Sequence, residues 1–266
     1  MDKIYHKLAF LSIFCHNAMR MTILGAKIDN LSKDAVRAKI SAFLDDGGSH
    51  FLATPNPEII LYASKHPEYL ALLNKADLSL PDGAGLVFVS KFMREQIAER
   101  VSGADTVPEI CRLAREKKMR LALIGALDEE TVKKAAARLV AWGNEVVFAA
   151  HGVSKEDWKE PAVHEKMINA LRATQPQIVF VAFGHPKQEE WIVKYQASLP
   201  SVRLFMGCGG ALDFIAGRAK RAPRFMQKLW LEWLWRLATE PKRLKRIFNA
   251  AIVFPFTVIY ASIWKK

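Results

Sequence analysis

From residue 21 onward, short apolar runs alternate with stretches in which apolar residues recur at helical spacing. The runs 21–24, 50–54, 76–80, 120–125, 145–150, 177–182 and 203–208 are bounded by Gly, Pro or Asn and read as strands. Between them, 32–44 opens on Ser32 and lines up Ala35, Ile40, Phe43 and Leu44, while 129–142 lines up Val132, Ala136, Leu139 and Val140. Strand followed by helix at this interval predicts crossover units. The fold class expected is therefore α/β, a Rossmann-like, mostly parallel sheet flanked by helices. No internal repeat, low-complexity stretch or long linker interrupts the pattern. The only composition shift falls at 217–223, dividing an N-terminal extension (1–20) and an α/β core (21–216) from a C-terminal helical, membrane-associating appendage (217–266).

Charge sharpens that division. The segment from Gly217 carries twelve Lys or Arg against Glu232 and Glu240, so most of the chain's formal +12 lies there. Such a segment suits nucleic acid, phosphorylated substrates or an anionic membrane surface. Trp230, Trp233, Trp235, Phe248, Phe254, Phe256, Tyr260 and Trp264 interleave with the cations, which favours a membrane interface and argues against nucleic acid. Residues 248–264 are apolar all round. As a helix they reach only about 25 Å against a hydrocarbon core of about 30 Å, and Pro255 kinks them. Shallow insertion is expected, with a buried helix or a homo-oligomer contact as the alternative.

At 266 residues and 51% hydrophobic, the chain suits one sizeable core plus an appendage rather than two full domains. Cys15, Cys111 and Cys208 are scattered and lack metal-ligand spacing, so all three read as packing residues in a reducing compartment. Lys3 and Lys7 precede a short apolar run at 8–15, but His16, Asn17 and Arg20 follow without a small-residue cleavage site, which argues against a cleaved signal.

Candidate chemistry collects in the loops that follow strands, where ligands bind in open α/β sheets. Asp82 sits in Leu80-Pro81-Asp82-Gly83-Ala84-Gly85, and Thr54-Pro55-Asn56-Pro57-Glu58 ends an earlier strand. Taken singly, Asp82 reads equally as a helix N-cap and Asn56 as a turn residue. Phe183-Gly184-His185-Pro186-Lys187-Gln188-Glu189 and Met206-Gly207-Cys208-Gly209-Gly210-Ala211 follow two more strands, and Gly184 and Gly209 there let a ligand approach the backbone. The latter is no Walker loop, and Leu212 spoils a dinucleotide fingerprint. An acid is also missing after the second strand, which counts against a nicotinamide oxidoreductase. Asp45-Asp46 reads as a solvated pair, and no metal-binding D-x-D occurs.

These blocks, with Glu99-Arg100-Val101-Ser102-Gly103-Ala104-Asp105 and Lys220-Arg221-Ala222-Pro223, resemble in order and spacing the WecG/TagA/CpsF glycosyltransferases. The resemblance runs from about residue 21 to 247. It implies an inverting transfer, without metal or cofactor, of N-acetylmannosamine from a UDP-sugar donor to undecaprenyl-diphosphate-linked N-acetylglucosamine. The expected linkage is β-1,4, in the synthesis of a cell-surface polysaccharide or teichoic-acid-type polymer. The implied location is the cytoplasmic face of the bacterial cytoplasmic membrane.

On that resemblance Asp82 matches the family's proposed general base, Thr54, Asn56 and Gln188 match pocket residues, and Arg236, Arg243 and Arg246 match arginines brought by the appendage toward the active site. Arginine suits a departing diphosphate because its planar fork binds two oxygens at once. Arg100 either pairs with Asp105 or contacts the donor diphosphate, and Lys220, Arg221 and Arg224 are candidates for phospholipid headgroups. Transfer of glucose or N-acetylmannosaminuronic acid, or a non-catalytic nucleotide-sugar sensor, remain the alternatives.

Overall fold

The computed structural model describes residues 19–153, 156–228, 231–239 and 244–264. Two strands, β1 (Met19–Ile23) and β2 (Ala26–Asn30), come first. The helix α1 (Lys33–Asp45) leads to β3 (His50–Ala53), α2 (Pro57–Ala63), α3 (Pro67–Leu73), the very short β4 (Leu78–Ser79), α4 (Ala84–Ser90) and α5 (Gly103–Glu116). Then follow β5 (Arg120–Gly125), α6 (Glu129–Ala141), β6 (Glu145–Ala150), α7 (Pro161–Thr174), β7 (Ile178–Ala182), α8 (Lys187–Tyr195), β8 (Leu204–Gly207) and α9 (Ala211–Ile215).

Six strands form one sheet in the order β4-β3-β8-β7-β5-β6, and every pair is parallel. The central β7 and β8 are buried along their whole length, as sheets covered on both faces require. Alternate side chains feed two apolar layers. Phe51, Ile124, Val179, Val181 and Phe205 face α2, α3, α4, α7 and α8, whereas Leu52, Leu121, Leu123, Phe180 and Met206 face α1, α5, α6 and α9.

The first strand departs from expectation. Residues 21–24 read as a member of the crossover series, but β1 pairs antiparallel with β2 in a separate hairpin. Leu24 and Gly25 both take positive φ at its tip, the geometry a two-residue hairpin turn needs, and Leu24 is not a residue that advertises it. The hairpin covers the short edge strand β4: buried Asp29 accepts the Ser79 N–H at 2.8 Å, and Arg20 reaches both Asp29 and the Ala76 carbonyl.

Two helix faces shift by one residue. In α1, capped by Ser32, the buried positions are Val36, Ile40 and Leu44 rather than Ala35 and Phe43. In α6 Ala135 is buried in place of Ala136, and Val140 is exposed. Cys111 and Cys208 are buried free thiols, while Cys15 lies outside the described residues. Asp45 pairs with Lys117, and Asp46 with His50, both at the surface.

The C-terminal segment is helical: α10 (Arg224–Lys228), α11 (Glu232–Thr239) and α12 (Leu244–Phe248), then a π turn (Asn249–Val253) and α13 (Phe254–Trp264). The Phe254 N–H reaches back to the Asn249 carbonyl, so the wider turn precedes Pro255, which has no N–H to give. The tail is not apolar surface on every side. Phe254 and Val258 are buried in the layer that holds α2 and α4, while Phe256 and Tyr260 face outward. Among the described residues no helix is long and apolar enough to cross a membrane.

Candidate active site

Four neighbouring strands, β4, β3, β8 and β7, send their carboxyl ends to one edge of the sheet, and the glycine-rich loops emerge there. Beside β3 and β4 lies a cleft of about 540 Å³ whose other wall is the C-terminal segment.

Asp82 stands on the core wall. Its N–H donates to the Pro55 carbonyl at 3.0 Å, fixing the two loops together. Gly83, at φ 106°, then turns the chain into α4, so the helix N-cap is Gly83 and not Asp82. The Gly103 N–H donates to Asp82 Oδ2 at 3.2 Å, and a Cβ on Gly103 would come 3.1 Å from Thr54 Oγ1. Glycine there lets the start of α5 close over the acid.

Burial is the main influence on the Asp82 carboxyl and holds it above its ordinary value; Glu232 adds to this, against the Gly103 N–H and the charges of Arg100 and Arg236. A carboxylate made more basic in a cleft has the character of a general base.

The cations arrive from both walls. Arg100 lines the cleft and pairs with Glu232 of α11, while Asp105 pairs with Arg221 at 2.7 Å. Arg221 also approaches Glu232 at 3.5 Å, and its Nε and Nη2 are enclosed by protein, which corrects the expectation that it binds headgroups. Arg236 lies over the Phe214 ring, 4.8 Å from its centroid, and faces the cleft. Arg246 meets Glu58 in a two-pronged contact, with Nε and Nη2 each 2.8 Å from a carboxylate oxygen. Trp233 lines the cleft, and Trp235 donates its indole N–H to the Lys220 carbonyl.

Of the residues singled out in sequence, Asp82, Asn56, Arg100, Arg236 and Arg246 line the cleft. Asn56 does double service, since its Oδ1 caps α2 through the Ile59 N–H. Thr54 lies behind Asp82, with its hydroxyl 3.5 Å from the Gly207 carbonyl.

Gln188 is buried in a strut rather than set in the cleft lining. Its Nε2 donates to Glu189 at 2.7 Å and its Oε1 accepts the Gly209 N–H at 3.1 Å. Gly184, at φ 74°, supplies the carbonyl that the Gln188 N–H bonds as α8 begins. Arg243, Trp230 and the first eighteen residues lie outside the described residues, and so does the Arg224 side chain.

Three contributors escaped sequence reasoning: Glu58, Phe214 and Glu232. Glu232 had a signal, being one of two acids in a segment otherwise rich in cations. Among the described residues no group of His, Cys, Asp and Glu gathers as a metal site.

A family profile described as the glycosyl transferase WecG/TagA/CpsF family matches residues 21–266. The chain is 32% identical over 240 residues to a Staphylococcus aureus (strain NCTC 8325 / PS 47) protein named N-acetylglucosaminyldiphosphoundecaprenol N-acetyl-beta-D-mannosaminyltransferase, covering 89% of this chain and 91% of the relative. The protein of the same name from strain MRSA252 matches over 238 residues at the same identity and coverage.

Proposed function

Because the chain belongs to the WecG/TagA/CpsF family of glycosyltransferases, we propose that it transfers N-acetylmannosamine from UDP-N-acetylmannosamine to undecaprenyl-diphosphate-linked N-acetylglucosamine, with inversion at the anomeric carbon. In the proposed step the acceptor's 4-hydroxyl oxygen forms the new bond to the sugar C1 as the bond from C1 to the UDP oxygen breaks. UDP leaves with the bonding electrons, and the hydroxyl proton passes to Asp82. A base whose affinity for protons is raised by burial suits this, since moving a carboxyl toward the working pH strengthens it as a proton acceptor. Negative charge grows on the departing diphosphate, and Arg236 and Arg246 stand across the cleft to receive it. Asn56 orients an acceptor sugar, while Thr54, Gln188, Gly184 and Gly209 shape the wall behind; Arg243 belongs to the same basic group by sequence.

The observation that carries the proposal is Asp82 facing arginines from the C-terminal segment across one cleft. Residues 21–216 act as the catalytic core and 217–266 as an appendage that docks on an anionic membrane surface at its cytoplasmic face, where the lipid-linked acceptor lies. The outward Phe256, Tyr260 and Phe248 are the shallow contacts.

A donor screen with a synthetic lipid-diphosphate-N-acetylglucosamine acceptor, read by mass spectrometry, tests this. The expected product gains one N-acetylhexosamine from UDP-N-acetylmannosamine. Gain of a hexose or hexuronic acid instead, or equal turnover by Asp82→Asn, overturns the reading.

A further inference from the structure

Glu58 belongs to no role so far assigned, yet it touches two of the loops and the C-terminal segment at once. It sits in the first turn of α2, two residues after Asn56, in the segment whose Pro55 carbonyl holds the Asp82 N–H. On one side the His185 ring Nε2 lies 3.5 Å from Oε1. On the other, Arg246 donates from Nε to both oxygens at 2.8 and 3.0 Å, and from Nη2 at 2.8 Å. Burial alone would raise the Glu58 carboxyl, but the hydrogen bonds from His185 and Arg246 outweigh it and hold it at about 2. The group is anionic at any physiological pH.

The contact occupies only the Nε–Nη2 edge of the guanidinium. The Nη1 side of the fork stays outside it, on a side chain that lines the cleft. A long arginine on a short surface helix loses rotamer freedom when it binds an anion, and a carboxylate that already holds one edge meets that cost in advance.

We propose that Glu58 is a positioning residue: it clamps one edge of Arg246 so that the other edge is presented to the diphosphate of the nucleotide donor. The proposal rests on reading the cleft as the UDP-sugar site. It predicts the opposite sign from a simple counter-ion, which would compete with the diphosphate for Arg246.

Calorimetric titration of UDP into the full chain, with Glu58→Gln, Arg246→Gln and the double variant, decides between them. Each single change is expected to weaken UDP by about tenfold, and the double variant to be no weaker than the worse single, because Glu58 acts through Arg246. Glu58→Asp keeps the charge on a shorter stem that reaches Arg246 less well and is expected to weaken UDP measurably but by less than about tenfold, whereas unchanged or tighter binding overturns the clamp. That variant keeps the test decisive should Glu58→Gln fold poorly.

Tighter or unchanged UDP binding by Glu58→Gln overturns the clamp, as do two losses that multiply. If wild type binds UDP and Asp82→Asn loses turnover while Glu58→Gln binds normally, only the clamp fails. A wild-type chain that binds no UDP removes the reading of the cleft and the clamp with it.

Discussion

On the core wall of the cleft, backbone groups hold the functional side chains: Asp82 N–H on the Pro55 carbonyl, Gly103 N–H on the Asp82 carboxylate, Ile59 N–H on Asn56. On the C-terminal wall Phe254 and Val258 anchor the segment in the core, while the ties at the cleft itself run through charged side chains: Arg100 to Glu232, Arg221 to Asp105 and Arg246 to Glu58. Backbone bonds between strand-end loops open only when the fold opens. Arg221–Asp105 and Arg246–Glu58 are partly exposed, and such pairs contribute about 0–1 kcal/mol each and weaken in salt. The acid is thus fixed by the fold, while the cations that face it ride on a segment that is easier to displace. Added salt should loosen the second wall well before it disturbs the first.

Breaking the core wall has the largest expected effect. Asp82→Asn removes the proton acceptor and should lower turnover of the lipid-linked acceptor by about 10²–10⁴-fold. It should also raise the melting temperature at neutral pH. The folded-state value of this carboxyl is raised, so the native protein holds its proton more tightly than the unfolded chain does; stability falls as pH climbs through that window, and the ionised form costs stability above it. Asparagine removes that cost. A melting temperature unchanged or lowered at pH 7 contradicts the burial of the charge. For the same reason the acid limb of kcat/KM should lie above the usual carboxylate range.

Removing a cation from the other wall comes next. Arg236→Gln keeps a polar side chain near Phe214 but loses the charge, and a charged hydrogen bond worth about 1.5–3 kcal/mol corresponds to about 10–100-fold in kcat/KM. The kinetic loss should exceed the change in stability when both are expressed as free energies. A large fall in stability with little change in kinetics would mean that the C-terminal wall serves packing rather than charge.

Much of this was legible beforehand. Six of the seven apolar runs are the strands of the parallel sheet, and six ordered blocks carry the family resemblance, because buried parallel strands and glycine-rich loops leave dense local signals. Asp82, Arg236 and Arg246 were placed in one site by resemblance, and the cleft brings them together. What stayed hidden depends on contacts between distant residues. Gln188 matches a pocket residue by resemblance, but only the fold shows Glu189 and Gly209 using both ends of its amide. The Arg221–Asp105 pair spans 116 residues and leaves no local trace. The hairpin escaped because Leu24 stands where Asn, Asp or Gly usually precedes the turn glycine.

A smaller effect should appear when acid is used to sharpen the contrast between the walls. The Glu58 carboxyl is depressed from 4.5 to about 2, so the stability it contributes is complete above about 4.5 and disappears as pH falls through about 2. Since half of the Arg246 side chain is in solvent, the contribution is about 0–1 kcal/mol. It belongs to the junction of α2 with α12 rather than to the sheet. Amide exchange at falling pH should therefore show protection lost in 244–264 before β7 and β8. Simultaneous loss would mean that the segment and the core form a single cooperative unit.

The smallest effect on the protein itself should come from the outward face of α13. Phe256 and Tyr260 are 71% and 65% exposed, so replacing either by Ser leaves the core untouched and should change stability by no more than about 0.5 kcal/mol. Their consequence should show only when a membrane is present. With vesicles containing anionic lipid, each change should weaken partitioning several-fold, by about 1 kcal/mol, because an aromatic body at the interface is lost while the basic charge is kept. UDP binding measured without vesicles should stay at the wild-type value. A parallel loss of UDP binding would place α13 in the cleft's energetics and not only at its outer surface, and the two walls would then be coupled through Phe254 and Val258, the residues of that helix buried beside α4.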